Sequence, residues 1–232
     1  MPPDGLAQRQ VDPEWLDDLP VDDPRARRSR RDLRRINALM MQPRLLARLL
    51  VRHAGEAPRT LLEIGAGDGS SMLSLARRLA PRWPGITVRL LDRQDLVTPE
   101  TVAAFAALGW RCEPMVQDVF DLDPRARADA VVAGLFLHHF TDERLRHLFA
   151  RLAPLAPVLV ACETRRTRLP YLASHCLGLI GANDVTRHDG VLSVRAGFRD
   201  GELSALWPDR ACWHLEEGPA GPFSHAFAAR RA

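Results

Sequence analysis

From Thr60 onward, short apolar runs alternate with stretches in which apolar residues return every three or four positions. That alternation of two periods is the pattern of strands joined by crossover helices in a parallel sheet. It predicts strands over residues 60–65, 86–92, 112–118, 129–137 and 157–163, and helices over 71–80, 99–109 and 142–153 between them. Beyond Glu163 the pattern loosens, and segments 211–218 and 224–231 read as two last strands. The expected fold class is therefore α/β, a doubly wound and mostly parallel seven-stranded sheet.

The first 55 residues have another texture. Asp22 and Asp23 stand before Pro24 as helix-start signals, and Leu33, Ile36 and Met40 fall on one stripe of the helix that follows. Pro43 opens a second helix with Leu45, Leu46, Leu49 and Leu50 facing inward. We read residues 1–55 as an N-terminal helical cap on a domain spanning 56–232, with a lid insertion at about 164–200. Within the insertion, residues 169–181 are apolar around Tyr171 and His175, as a lid helix or a helix packed on the sheet would be. Residues 183–189 gather polar, titratable groups into what reads as one turn, either part of a substrate site or a surface loop held by Asx turns.

Charge changes this picture at the N-terminus. Asp12, Glu14, Asp17, Asp18, Asp22 and Asp23 are met by no cation within 11–23, and residues 25–35 then carry seven arginines against Asp32 alone. The arginine run reads either as a patch for nucleic acid or acidic lipid, or as a solvated helix face neutralised by the acids before it; the apolar stripe favours the second. Across the chain 32 basic residues face 29 acidic ones, and a surplus of +3 does not call for a phosphate-binding surface. No nucleic-acid partner is expected. Every basic residue is an arginine, which excludes Schiff-base chemistry and a P-loop lysine.

Cys112, Cys162, Cys176 and Cys212 form no CxxC pair, the usage of a reducing compartment, and give no zinc framework; buried thiols are expected. The start of the chain has no apolar leader, and its longest uncharged run, 169–183, is shorter than the roughly 20 residues of a membrane span. The expectation is a cytoplasmic chain without a membrane span.

The candidate chemistry begins where the first strand turns into a helix, at Glu63-Ile64-Gly65-Ala66-Gly67-Asp68-Gly69. Glycines there let the backbone turn tightly and let a ligand approach it without a β-carbon in the way. Glu63 ends an otherwise apolar strand, where a carboxylate is costly unless it meets a cation or hydrogen-bond donors. A dinucleotide fold asks for GxGxxG, whereas here the third glycine is Gly69, and Glu63 would repel a pyrophosphate.

The E-x-G-x-G-x-G segment resembles motif I of the class I S-adenosylmethionine-dependent methyltransferases. The resemblance covers residues 60–163 and implies a Rossmann-like methyltransferase fold, with S-adenosylmethionine as cofactor. It implies that Glu63 meets the methionine ammonium, that Gly65, Ala66 and Gly67 line the methionyl and adenosyl path, and that Asp92 takes the ribose hydroxyls. Asp118 and Val119 would lie at the adenine edge, with Arg93 and Gly134 completing the contacts. The alternative for Asp118 is a turn-capping carboxylate.

Residues 135–142, LFLHHFTD, follow the fourth strand, and open α/β sheets bind ligands at such strand ends. LHHFTDER resembles the H-D-W-x-D segment of small-molecule O-methyltransferases, which implies His138 as general base; His139 and Phe140 depart from that pattern, and packing around the cofactor is the other reading of the histidine pair. His188, with Asp189 beside it, is a second base candidate. The expected activity is methyl transfer to a small, largely apolar acceptor, phenolic or polyketide-like, at oxygen. Its rivals are a catalytically silent cofactor-binding partner protein, an RNA or protein methyltransferase docking through the arginine run, and a nicotinamide dehydrogenase.

Overall fold

The computed structural model describes residues 6–232. In chain order the elements are α1 (Trp15–Asp18), α2 (Pro24–Leu39), α3 (Gln42–His53), β1 (Thr60–Ile64), α4 (Ser70–Leu79), β2 (Thr87–Asp92), α5 (Pro99–Ala107), β3 (Arg111–Val116), β4 (Ala130–Gly134) and α6 (Asp142–Leu152). There follow β5 (Val158–Thr164), α7 (Arg168–His175), α8 (Asp184–Ala196), α9 (Glu202–Leu206), β6 (Trp213–Ala220) and β7 (Ser224–Arg231). The seven strands form one sheet in the order β3-β2-β1-β4-β5-β7-β6. β1 to β5 run parallel to one another, and β7 runs antiparallel to both β5 and β6.

Alternate residues of each central strand enter opposite layers, because side chains on a strand point to the two faces in turn. Leu62, Val131 and Leu159 join Leu145, Phe149 and Phe227 in one layer, while Leu61, Val132 and Val160 join Leu75, Phe105 and Leu50 in the other. Burying one such leucine is worth about 1.5–3 kcal/mol, so both layers together dictate the register. α3 belongs to the second layer and packs against β5, β7 and β4, with Leu46 and Leu50 buried there. Of the N-terminal helices, α3 thus also covers the sheet.

In α2 the buried residues are Ala26, Ser29 and Asp32, and the Leu33, Ile36 and Met40 stripe is half-buried. The small, polar face meets the start of α8: Asn183 donates its backbone N–H to Asp32 and its side-chain amide to the Arg25 carbonyl, and Thr186 Oγ1 lies 2.9 Å from Ser29 Oγ. Asn183 is the N-cap of α8, accepting from Thr186 N–H at 2.9 Å. Residues 183–189 are thus a helix start and not a surface loop, and an Asx signal followed by a helix-compatible run supports both outcomes.

The acidic segment does not neutralise the arginine helix. Asp23 pairs with Arg25, but Arg34 pairs with Asp68 at 2.6 Å, Arg30 donates to the Val21 carbonyl and to Gln94, and Arg28 donates to the Gly181 carbonyl. Asp12, Glu14, Asp17 and Asp18 instead lie over the C-terminal ends of the strands. Of the cysteines, Cys162 is buried, whereas Cys176 and Cys212 are exposed. Among the described residues, no helix is long and apolar enough to cross a membrane.

Candidate active site

A cavity of about 840 Å³ opens at the C-terminal ends of β1, β2 and β4. Every residue expected to hold the cofactor lines it: Glu63, Gly65, Ala66, Gly67, Asp92, Arg93, Asp118, Val119 and Gly134. The turn after β1 puts Gly65, Gly67 and Gly69 at φ of 67°, 55° and 74°, a region that β-carbon-bearing residues avoid. At Gly67 a β-carbon would meet nothing within 4 Å and would project into open space, whereas at Gly65 it would strike the Phe136 ring. Gly67 keeps the backbone bare toward the cavity, and Gly65 admits the aromatic that closes it from behind.

Glu63 is fully buried and its Oε2 has no hydrogen-bond partner. Burial, and then the nearby Asp68 and Asp92 charges, push its carboxyl well above the usual range. A buried acid lacking a partner beside a bare glycine turn fits a ligand that brings its own cation. Asp92 is anchored by the Gly67 and Gln94 N–H groups at 2.8 and 2.9 Å. Asp118 caps a short 3-10 turn through the Phe120 N–H at 2.9 Å, as the turn-capping reading expects, and it also lines the cavity.

His138 lines the same cavity, buried in the 3-10 turn Leu137–His139. Its Nδ1 lies 2.7 Å from Glu163 Oε2, and its Nε2 lies 3.5 Å from Glu14 Oε1. Glu163 is fully buried at the end of β5, and its other oxygen accepts the Phe136 and Leu137 N–H groups at 2.9 Å each. Burial alone would lower the imidazole, but the hydrogen bonds to Glu14 and Glu163 outweigh it and push His138 up to about 10. Burial alone would likewise raise Glu14, yet its hydrogen bond with His138 and the neighbouring imidazoles hold it below the carboxylate range. His138 is thus not a lone histidine but the centre of a carboxylate–imidazole–carboxylate array. His139 stacks on His138 with centroids 4.4 Å apart and faces Asp17 at 3.3 Å.

His188 does not line the cavity, which corrects its candidacy as a base. Its Nδ1 meets Asp189 Oδ1 at 2.8 Å, and its ring stacks on Trp15 at 3.8 Å. Asp189 in turn accepts the Trp15 and Leu16 N–H groups, so this dyad holds the acidic N-terminal segment in place. That segment brings Glu14 and Asp17 into the site, two residues that sequence reasoning missed. Glu163 was missed as well, although it carries the signal that marked Glu63: an acid ending an apolar strand. Leu33 and Ile36 of α2, Met40 just beyond it, and Leu177 and Ile180 add an apolar lining to the cavity.

A family model described as a methyltransferase domain matches residues 61–156. Trans-aconitate 2-methyltransferase of Mycobacterium tuberculosis is 37% identical over 90 residues, which are 38% of this chain and 31% of that protein. The match thus spans about a third of the length of the curated relatives. Among solved structures, the plantazolicin methyltransferase BpumL in complex with SAH superimposes with a TM-score of 0.67 at 13% identity, covering 91% of this chain and 92% of that one. The mitomycin 7-O-methyltransferase MmcR superimposes at 0.59 with 22% identity, over 94% and 60% of the two chains. These likenesses show a shared fold.

Proposed function

We propose, from the premise that this chain carries a class I S-adenosylmethionine-dependent methyltransferase domain, that it moves a methyl group to oxygen on a small, largely apolar acceptor such as a phenol. The observation that carries this reading is the meeting, inside one cavity, of an apolar compartment between α2 and Leu177–Ile180 with the Glu14–His138–Glu163 array. Bound S-adenosylmethionine supplies an electrophilic methyl group on a sulfonium. Glu63 would take its ammonium, the Gly65–Gly67 backbone its methionyl path, Asp92 its ribose and Asp118 with Val119 its adenine edge.

Methyl transfer is an in-line displacement, so the chain must align the acceptor oxygen and manage its proton. A phenol ionises near pH 10, too high for neutral solution to do this unaided. The array answers that need with an imidazole oriented by Glu163 and with the Glu14 carboxylate beside it. α1, α2 and the 164–200 region would close over the acceptor. The arginine helix favours a nucleic-acid partner less than its sequence suggests, since Arg28, Arg30 and Arg34 are engaged within the chain.

The test is incubation with S-adenosylmethionine and a panel of small phenols, with a tricarboxylic acid included because of the trans-aconitate relative, followed by mass spectrometry of the acceptors. Methylated phenol supports the reading. Methylated carboxylate alone moves the acceptor class, and intact cofactor binding with no product on any acceptor favours a silent cofactor-binding protein.

A further inference from the structure

We propose that Glu14, His138 and His139 form a binding site for a divalent transition-metal ion at the acceptor end of the cavity. One ligand atom from each of the three lies within 4.8 Å of the others. Zinc–nitrogen bonds of about 2.0–2.1 Å set neighbouring ligands roughly 3 Å apart, so side-chain shifts suffice to close on an ion.

The His138 ring is already set as a ligand must be. Glu163 takes Nδ1 at 2.7 Å, which leaves Nε2 turned toward Glu14. A carboxylate behind a metal-binding imidazole fixes its tautomer and its direction. Glu163 is fixed in its turn by two backbone N–H groups. Ser193 Oγ reaches Glu14 Oε1 at 2.6 Å and steadies the third ligand.

Charge and donor type point the same way. Glu14, Asp17 and Glu163 surround the two imidazoles with three carboxylates, a field that a doubly charged ion answers. Two imidazoles and one carboxylate suit zinc or iron(II), not calcium or magnesium, which prefer all-oxygen shells. Three protein ligands leave coordination positions open, and all three residues line the cavity. An acceptor oxygen can complete the shell there. Its use rests on the methyl-transfer reading: a hydroxyl on such an ion loses its proton at lower pH, in a chain that has no lysine to remove it. The binding site itself does not depend on that reading.

The experiment takes the full chain, strips it with a chelator and titrates it with cobalt(II), reading the visible d–d bands, with zinc(II) competition followed by calorimetry. We expect one equivalent to bind, and Glu14→Gln and His139→Ala each to weaken binding by roughly ten- to a hundredfold. His139→Ala leaves the buried His138–Glu163 pair intact, so a folded protein is available for the comparison. S-adenosylhomocysteine affinity in the same samples reports on the methyltransferase reading separately. No stoichiometric cobalt binding, or equal binding in the wild type and both variants, overturns the site, and ion pairs alone then account for the cluster.

Discussion

The carboxylate of Asp189, on α8, accepts the backbone N–H groups of Trp15 at 2.9 Å and Leu16 at 3.0 Å. Those two bonds fasten the segment that delivers Glu14 and Asp17 to the histidine pair. Hydrogen bonds to a charged group are worth about 1.5–3 kcal/mol each. Asp189→Ala should therefore leave the sheet folded but free the segment, seen as faster hydrogen–deuterium exchange over residues 11–18 and a higher KM for the acceptor. Unchanged exchange there would mean that the Trp15–His188 stack and the Arg195–Asp12 pair hold the segment without Asp189.

His138→Gln should lower turnover by about 10²–10⁴ with S-adenosylhomocysteine affinity kept, since the loss falls on proton management at the acceptor. Glutamine is the variant of choice because removing the imidazole outright strands Glu163, and an unpaired buried charge costs about 3–5 kcal/mol. Turnover within a few-fold of wild type would reduce His138 to packing.

Asp92→Ala tests the cofactor end. Its carboxylate is held by two N–H groups and lines the cavity. Losing a hydrogen bond to a charged group should weaken S-adenosylmethionine binding about ten- to a hundredfold by calorimetry. Equal affinity removes Asp92 from the site.

The parts of this site that were legible in the sequence are those whose signal is local. The β1 turn announced itself through Glu63 and three glycines within seven residues, and all the expected cofactor contacts line the cavity. Glu163 bore the same strand-end signature without the glycines, and so passed as part of a strand. Glu14 left no local trace, because its contact with His138 depends on how the N-terminal segment crosses the strand ends. The α2 stripe was legible as one face but not what that face meets: hydrophobic period locates a face, and a face toward a cavity and a face toward a sheet look alike.

That orientation of α2 can be tested directly. Ile36 is half-buried and lines the acceptor compartment. Ile36→Trp should fill that space, raising acceptor KM or abolishing turnover, while the melting temperature and S-adenosylhomocysteine affinity stay near wild type. A large fall in melting temperature would instead place Ile36 in the core.

Glu63 sets stability against binding. Its carboxyl is raised well above the usual range in the ligand-free fold, mainly by burial, so the folded protein binds a proton that the unfolded chain gives up near pH 4–5. Stability attached to Glu63 is therefore full at low pH and falls as pH rises from the unfolded value through the folded one. Glu63→Gln removes the penalty and should raise the ligand-free melting temperature at pH 7. Yet the same variant cannot ionise to meet an ammonium, and S-adenosylmethionine should bind it more weakly. In the wild type, arrival of that cation should expel the Glu63 proton. Calorimetry in buffers of different ionisation enthalpy should show net proton release, and affinity should climb with pH toward the raised Glu63 value. Binding without proton release would place the ammonium elsewhere, with Glu63 a buried neutral acid in both states.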